Sequence, residues 1–374
     1  CGLSPKDFDI ATSATPSEIK KIFKASRIIG KRFKLVHIFD RSELIEVATF
    51  RSGETTDNDN NLVKDESGKI IRDNIWGTLE QDTFRRDFTI NALYYCPTSK
   101  KIEDNNNGLQ HINKGLIVSI GDPQKRFAED PVRCLRAIRF SNKLSFKIDN
   151  QIKEAIYKKG HLLANISNAR LFDEFCKIFL NGYAEKNFNK LSIFGLNKYL
   201  LLTGINQNQF SDKLIQESLR NTDKRYINNQ SVTPGFLVAA LLWPVVIESC
   251  KSNNQINLRK FFRGMDKILR NQQNLTAIPR KFHSYIKDIW ILQLKLHSRI
   301  GKQPYKTLKH PRFRAAYDLL LIREKVSEKK MRLGKWWTDF QKNNDSLRKD
   351  LIEDLKNKKE KESFKTFGFS KELI

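Results

Sequence analysis

Asp7-Phe8-Asp9-Ile10-Ala11-Thr12-Ser13-Ala14-Thr15-Pro16-Ser17-Glu18 is the stretch from which the rest of the chain can be read. Phe8 and Ile10 alternate with Asp7 and Asp9, the period of a strand with one wet face, so both carboxylates leave the strand on one side. Thr15 then supplies an N-cap, Pro16 the first helical position and Glu18 the capping-box acid, with Ile19, Ile22 and Phe23 as the apolar stripe. Two β-rich runs follow, Lys34–Phe39 and Ser42–Phe50, joined by a turn at Asp40-Arg41 that reads as a hairpin. Residues 51–75 are polar, Asp/Asn-rich and without period, and are expected to form a mobile loop.

Working outward, Thr89–Tyr95 reads as a short strand or helix start, and Lys101–Asp104 and Leu116–Ile120 as final strands. Past Asp122-Pro123 the pattern turns to helices: one capped by Glu129-Asp130-Pro131, then Ile166–Leu180, Gly235–Cys250, Pro279–Ile300 and His310–Lys325. No fixed-period repeat is evident. The fold class expected is α+β, a mixed sheet head followed by an all-α body.

The chain has 374 residues, 39% of them hydrophobic and 25 of them Phe, enough apolar material for real cores, which excludes wholesale disorder. No run approaches the roughly 20 apolar residues of a membrane span, and the start carries no charged-then-apolar leader, so no membrane partner is expected. With 68 Lys+Arg against 42 Asp+Glu the formal charge is +26, unevenly placed. Residues 1–113 hold 17 basic and 17 acidic side chains, residues 114–170 hold 12 and 5, and residues 171–330 hold 28 and 12. A neutral front joined to a basic back places polyanion binding in the helical part. The five cysteines show no C-x-x-C pair and read as thiols of a reducing cytoplasm. None of the six histidines has metal-ligand spacing with Cys or another His, so zinc is not expected.

Paired carboxylates on one strand face suit divalent ions that prefer oxygen, Mg²⁺ above all. Acid-x-acid pairs are common by chance, so Asp7 and Asp9 gain weight only from company. Glu46, in an otherwise apolar strand (Ile45–Phe50), needs a metal or cation beside it. Arg85-Arg86 before Asp87 form a plausible triphosphate clamp, against the alternative of a surface pair at a turn. On a helix beginning at Pro131, Arg133, Arg136 and less closely Arg139 share one side, and Asp130 can pair with Arg133 to face a base edge; a solvated ion pair is the ordinary alternative. His37 reads as a packing or hydrogen-bonding residue. Trp336-Trp337 with Phe340 could stack RNA bases, although on a helix they more often form a docking face.

The segments Pro5–Pro16, Glu46–Arg51, Arg85–Leu93 and Glu129–Phe140, in this order and spacing, resemble the class II tRNA nucleotidyltransferase/poly(A) polymerase family. Ile28–Ile38, His310–Asp318 and Trp336–Gln341 are similar to the poly(A) polymerase branch rather than to CCA-adding enzymes. The resemblance implies a polymerase-beta-like nucleotidyltransferase head over 1–120, a base-recognising neck over 121–180, an RNA-binding body over 181–330 and a tail over 331–374, of which residues 342–374 alternate charges with few apolar anchors and read as a partly disordered end. It implies addition of AMP from ATP to RNA 3′ ends without a template, with CCA addition to tRNA and a non-catalytic RNA-binding relic as alternatives. By the same carry-over Asp7, Asp9 and Asp87 are catalytic; two Mg²⁺ ions fall to Asp7 and Asp9, with Asp87 either completing metal binding, a role for which Glu46 competes, or holding the ribose 2′-hydroxyl. Arg85, Arg86, Asn91, Asp130, Arg133, Arg136 and Arg139 would bind the nucleotide, and Arg312 and Arg314 the RNA. A monomer acting in cytoplasmic RNA decay, with RNA-decay proteins as further partners, completes the expectation. Family members carry a Gly-Gly-x-Val-Arg-Asp turn upstream of the paired acids; this chain starts at Cys1-Gly2-Leu3-Ser4-Pro5, so the head is expected to be N-terminally truncated.

Overall fold

The computed structural model describes residues 8–30, 34–41, 43–52, 62–64, 70–73, 75–202, 209–252, 255–327 and 332–359. The chain divides into two compact units, Cys1–Leu162 and Leu163–Ile374.

The first unit is built on a four-stranded sheet from β1 (Asp9–Thr12), β2 (Ser26–Ile29), β3 (Leu35–Asp40) and β4 (Glu43–Thr49), in the order β1-β4-β3-β2. β1 runs parallel to β4 and the other neighbours are antiparallel. Helix α1 (Pro16–Ile22) makes the parallel crossover, and its capping box is formed as expected: Glu18 N–H donates to Thr15 Oγ1 at 3.4 Å and Thr15 N–H donates to Glu18 Oε2 at 2.7 Å. Ile19 of α1 packs with Val36, Ile38 and Val47 in a small core. Because side chains alternate along strands, burying 36, 38 and 47 turns His37 and Glu46 to the opposite face.

The stretch 51–75 departs from the expectation of a loop without strands: β5 (Leu62–Lys64) and β6 (Ile70–Asp73) pair antiparallel. Each strand is only three or four residues long, with its apolar residues adjacent (Leu62-Val63, Ile70-Ile71) rather than alternating, so no strand period marks it. Helix α2 (Leu79–Arg85), a single 3₁₀ turn at Thr89–Asn91, the hairpin β7 (Tyr94–Cys96) and β8 (Lys101–Glu103), α3 (Gly108–Asn113) and β9 (Leu116–Ile117) complete this part. Next comes α4 (Pro123–Glu129), a helix the sequence reading passed over, and then α5 (Val132–Leu144), β10 (Lys147–Ile148) and α6 (Asn150–Lys159).

The second unit is helical: α7 (Asn168–Phe179), α8 (Ala184–Ile193), α9 (Gln209–Ile227), α10 (Pro234–Cys250), the two-residue strands β11 (Lys251–Ser252) and β12 (Gln255–Ile256), α11 (Leu258–Leu275), α12 (Lys281–Lys295), α13 (Gln303–Leu308), α14 (Phe313–Val326), α15 (Leu333–Lys342) and α16 (Asp345–Lys359). α10 is apolar around its whole circumference and is accordingly buried along its length, with Trp290 of α12 donating its Nε1–H to Ala239 O at 2.9 Å. No helix among the described residues is long and apolar enough to cross a membrane. Trp337 and Phe340 are wholly buried and join Trp336, Phe313 and Tyr317 in one core cluster, so this aromatic set packs the fold and is closed to RNA bases. The same cluster takes Ile352 of α16, which gives the tail an ordered helix where charge alternation suggested little. Residues 360–374 lie outside the described residues.

Candidate active site

Strand register carries a row of polar side chains across the solvent face of the sheet. Asp9 stands opposite Glu46, Glu46 opposite His37, and His37 opposite Arg27. Asp9, Glu46 and Arg27 are exposed, and His37 is half-buried. In place of the metal or cation that Glu46 was expected to need, the structure sets His37 beside it, with Nε2 3.0 Å from Glu46 Oε1. Asp7, the other half of the predicted pair, lies outside the described residues. Two exposed carboxylates side by side on neighbouring strands are hard oxygen donors in water, which fits Mg²⁺. Among the described residues no three His, Cys, Asp or Glu side chains are grouped as a metal site.

The guanidiniums gather elsewhere in this unit. Helix α2 opens on a Thr78/Gln81 capping box and its last turn delivers Arg85 and then Arg86. These neighbours have different surroundings. Arg86 donates from Nε and Nη2 to Asp82 Oδ2 at 3.2 and 2.9 Å, and from Nη2 to Tyr94 Oη at 2.9 Å. Asp82, buried, also accepts from Arg51 N–H at 3.2 Å and from the Tyr94 hydroxyl. Burial works against the Arg86 charge, but Asp82 and Tyr94 together outweigh it and raise the pKa. Arg85 has no such carboxylate among the groups that shift it: burial, then Arg51, Arg126, Arg86 and Arg133, bring its pKa down to about 10.

Arg126 of α4 fixes this arrangement. Its Nη2 donates to Arg85 O at 2.8 Å and Arg86 O at 2.9 Å, closing the C-terminal end of α2 where carbonyls lack helical partners, while Nη1 pairs with Glu129 at 2.9 Å. Arg133 of α5 also reaches Arg85 O, at 3.5 Å, and its charge is disfavoured by burial and by Arg126, with Asp130, Asp87 and Glu129 offsetting part of this. Arg133 Nη1 and Arg126 Nε are buried without a hydrogen-bond partner among the described residues. Asp130 Oδ1 accepts from Val132 N–H at 3.3 Å, so it opens α5 as well as standing near Arg133.

Asp87 is engaged with groups of the protein on both carboxylate oxygens. Its side chain is 7% exposed; Oδ2 accepts from Arg136 Nε at 2.5 Å and Oδ1 from Asn91 Nδ2 and Phe88 N–H, both at 2.9 Å. Burial alone would raise this carboxyl, but Arg136 and the three hydrogen bonds hold it below the ordinary value. Asp87, Asn91 and Arg136 therefore form a brace between the motif after α2 and helix α5. Arg136 and Arg139 both lie against the Phe140 ring, at 5.2 and 4.4 Å. Sequence reasoning missed Arg126, Asp82 and Tyr94. The one signal for Arg126 was the Asp122-Pro123 helix opening three residues before it.

Three family models match the chain: "Poly A polymerase head domain" over 1–118, "Probable RNA and SrmB- binding site of polymerase A" over 145–204, and "Polymerase A arginine-rich C-terminus" over 254–367. Poly(A) polymerase I of Escherichia coli O157:H7 is 38% identical over 368 residues, 95% of this chain and 79% of that protein. The chain belongs to the poly(A) polymerase family. A CCA-adding enzyme of Ligilactobacillus salivarius is 36% identical but over 198 residues, 53% of this chain and 47% of its own length. The crystal structure of the Bacillus stearothermophilus CCA-adding enzyme in complex with CTP superposes with a TM-score of 0.54 at 23% identity, covering 96% of this chain and 74% of that one. This likeness reports a shared fold. The poly(A) polymerase head match contains both the carboxylate row and the Arg85-Arg86-Asp87 motif.

Proposed function

We propose that this chain performs its family's reaction with a division of labour inside the first unit: exposed acids for metal and primer, half-buried arginines for the triphosphate. The enzyme is a polynucleotide adenylyltransferase that adds AMP from ATP to RNA 3′ ends. The observation that carries the division is the contrast at Arg85, a half-buried guanidinium whose charge is opposed by four other arginines. At a pKa of about 10 it keeps its proton at neutral pH, so the cluster stores repulsion that a polyphosphate relieves.

Asp9 and Glu46, with Asp7, would hold Mg²⁺, which when bound supplies a lowered pKa for the RNA 3′-hydroxyl and charge screening on the phosphates. The chain's own share is positioning. Arg85 and Arg133 take triphosphate oxygens, Arg126 keeps their loop in place, and Asp130 remains the acid nearest Arg133 for a base edge. Asp87, Asn91 and Arg136 hold the motif against α5, so their part in catalysis runs through the residues they position. His37 orients Glu46. Arg312 and Arg314 contribute to RNA binding in the second unit. A monomeric, cytoplasmic enzyme of RNA decay is part of the same proposal.

Purified protein with Mg²⁺, offered a generic RNA or a tRNA lacking its end together with each NTP in turn, tests the reading. Long A-tracts on generic RNA are expected. A three-nucleotide product confined to tRNA would establish CCA addition instead, and binding without incorporation would leave only an RNA-binding relic.

A further inference from the structure

The second unit carries a polar cleft around Arg312 and Arg314, the two residues assigned above to RNA binding without a defined place for the RNA. It opens where the end of α9, the start of α10, α12 and the start of α14 meet, and encloses roughly 190 Å³. Phe236, 7% exposed, closes the bottom. On one side the Arg312 guanidinium lies over the Tyr285 ring, 4.7 Å from its centre. On the other, Asp318 holds Arg314 at 3.1 Å and Arg225 at 3.6 Å.

Exposure shows which way these groups face. The Asp318 side chain is 18% exposed, against 32% for Arg225 and 71% for Arg314, so the acid anchors one edge of each guanidinium and leaves other N–H donors toward solvent. Three guanidiniums around one carboxylate leave an excess of positive charge at the mouth. The volume is below the few hundred Å³ of a site for a drug-sized ligand and the cleft is open to solvent, so it suits a single base with its phosphate at the mouth rather than a nucleoside triphosphate. An aromatic–guanidinium plane beside two forked donors matches single-stranded nucleic acid, whose bases stack on such planes while phosphates take bidentate bonds.

We propose that this cleft seats one unstacked nucleotide of the RNA substrate, its base against the Tyr285–Arg312 stack and its phosphate on Arg225 and Arg314. The proposal rests on the RNA-adenylating reading and adds to it a defined single-nucleotide subsite. It is tested with the full chain and a set of RNAs carrying 2-aminopurine at successive positions from the 3′ end. One position should be quenched on binding, and the quench should be relieved in Arg312→Ala, an exposed site, and in Tyr285→Leu. In steady-state assays Arg312→Ala should raise the RNA KM about five- to tenfold while the ATP KM stays within about twofold, since stacking on a single base is lost. Arg312→Lys, which keeps the charge without the plane, should resemble the alanine variant. Full recovery by lysine, or no position whose quench depends on both residues, would overturn the subsite. Wild-type protein that adenylates no RNA would instead sink the reading on which it rests, so the two failures are distinguishable.

Discussion

Asp9 and Glu46 stand in water on neighbouring strands, whereas Arg85, Arg126 and Arg133 crowd half-buried between the end of one helix and the faces of two others. The acids owe their position to strand register, and each is tolerable alone because solvent surrounds it. The arginines owe theirs to hydrogen bonds onto carbonyls of the Arg85-Arg86 loop, and their charges oppose one another. The difference teaches that acceptors for a hydrated cation can remain exposed, while donors for a polyanion gain strength by being partly dried and crowded together.

The severest way to break the comparison is to remove an exposed acid. Asp9→Ala should lower AMP incorporation by about 10³-fold or more, several kcal/mol of charge stabilisation, while RNA affinity stays within severalfold and stability hardly moves. Retained turnover in the pure variant would end the assignment. Arg85→Ala comes next: kcat/KM for ATP should fall by about 10²-fold, the worth of one or two charge-assisted hydrogen bonds, without loss of folding stability because repulsion leaves with it. A clear drop in stability would mean that Arg85 is a structural residue like its neighbour.

Asp87→Asn should cost about 2–3 kcal/mol of stability by breaking a mostly buried pair whose Arg136 side is 30% exposed. The pH sign follows from the lowered carboxyl. Its contribution is fully present above the ordinary Asp range and is lost as pH falls through the folded-state value, so the variant should show a shallower acid slope in urea titrations between about pH 5 and 2. Arg86→Ala should cost about 1–2 kcal/mol, since Asp82 keeps the Arg51 N–H and the Tyr94 hydroxyl but loses its charge partner. The gentlest change is to neutralise several Lys/Arg within 259–314. The RNA KM should rise severalfold and its salt dependence flatten, leaving ATP use largely intact. Equal loss of ATP use would show that nucleotide and RNA binding are not separable in this way.

What could be read from sequence and what could not differ by the range of the interaction. The Thr15/Glu18 cap and the hairpin around Asp40-Arg41 were legible because their determinants sit within a few residues. The pairing of Asp9 with Glu46 needed a parallel crossover, which alternation permits but does not state. Asp87 looked like a third metal acid because its neighbours in the chain suggested phosphate chemistry. The guanidinium beside it, Arg136, lies 49 residues on, and no periodicity says which carboxylate is buried against which guanidinium. α4 was lost because seven mostly polar residues give little amphipathic signal. α16 was underrated because one buried Ile352 does the anchoring for a helix that otherwise reads as solvated charge.

The placement of the indoles has a practical consequence for spectroscopy. Of five tryptophans, Trp243, Trp290, Trp336 and Trp337 belong to the second unit and pack in its interior, and Trp76 alone belongs to the first. Intrinsic emission of this enzyme is therefore dominated by the helical unit. A melting curve followed at that wavelength would be nearly silent about Asp87, Arg86 or a bound nucleotide, and the optical signal from the unit that holds the chemistry reduces to a single fluorophore next to Gly77 and the Thr78 cap of α2.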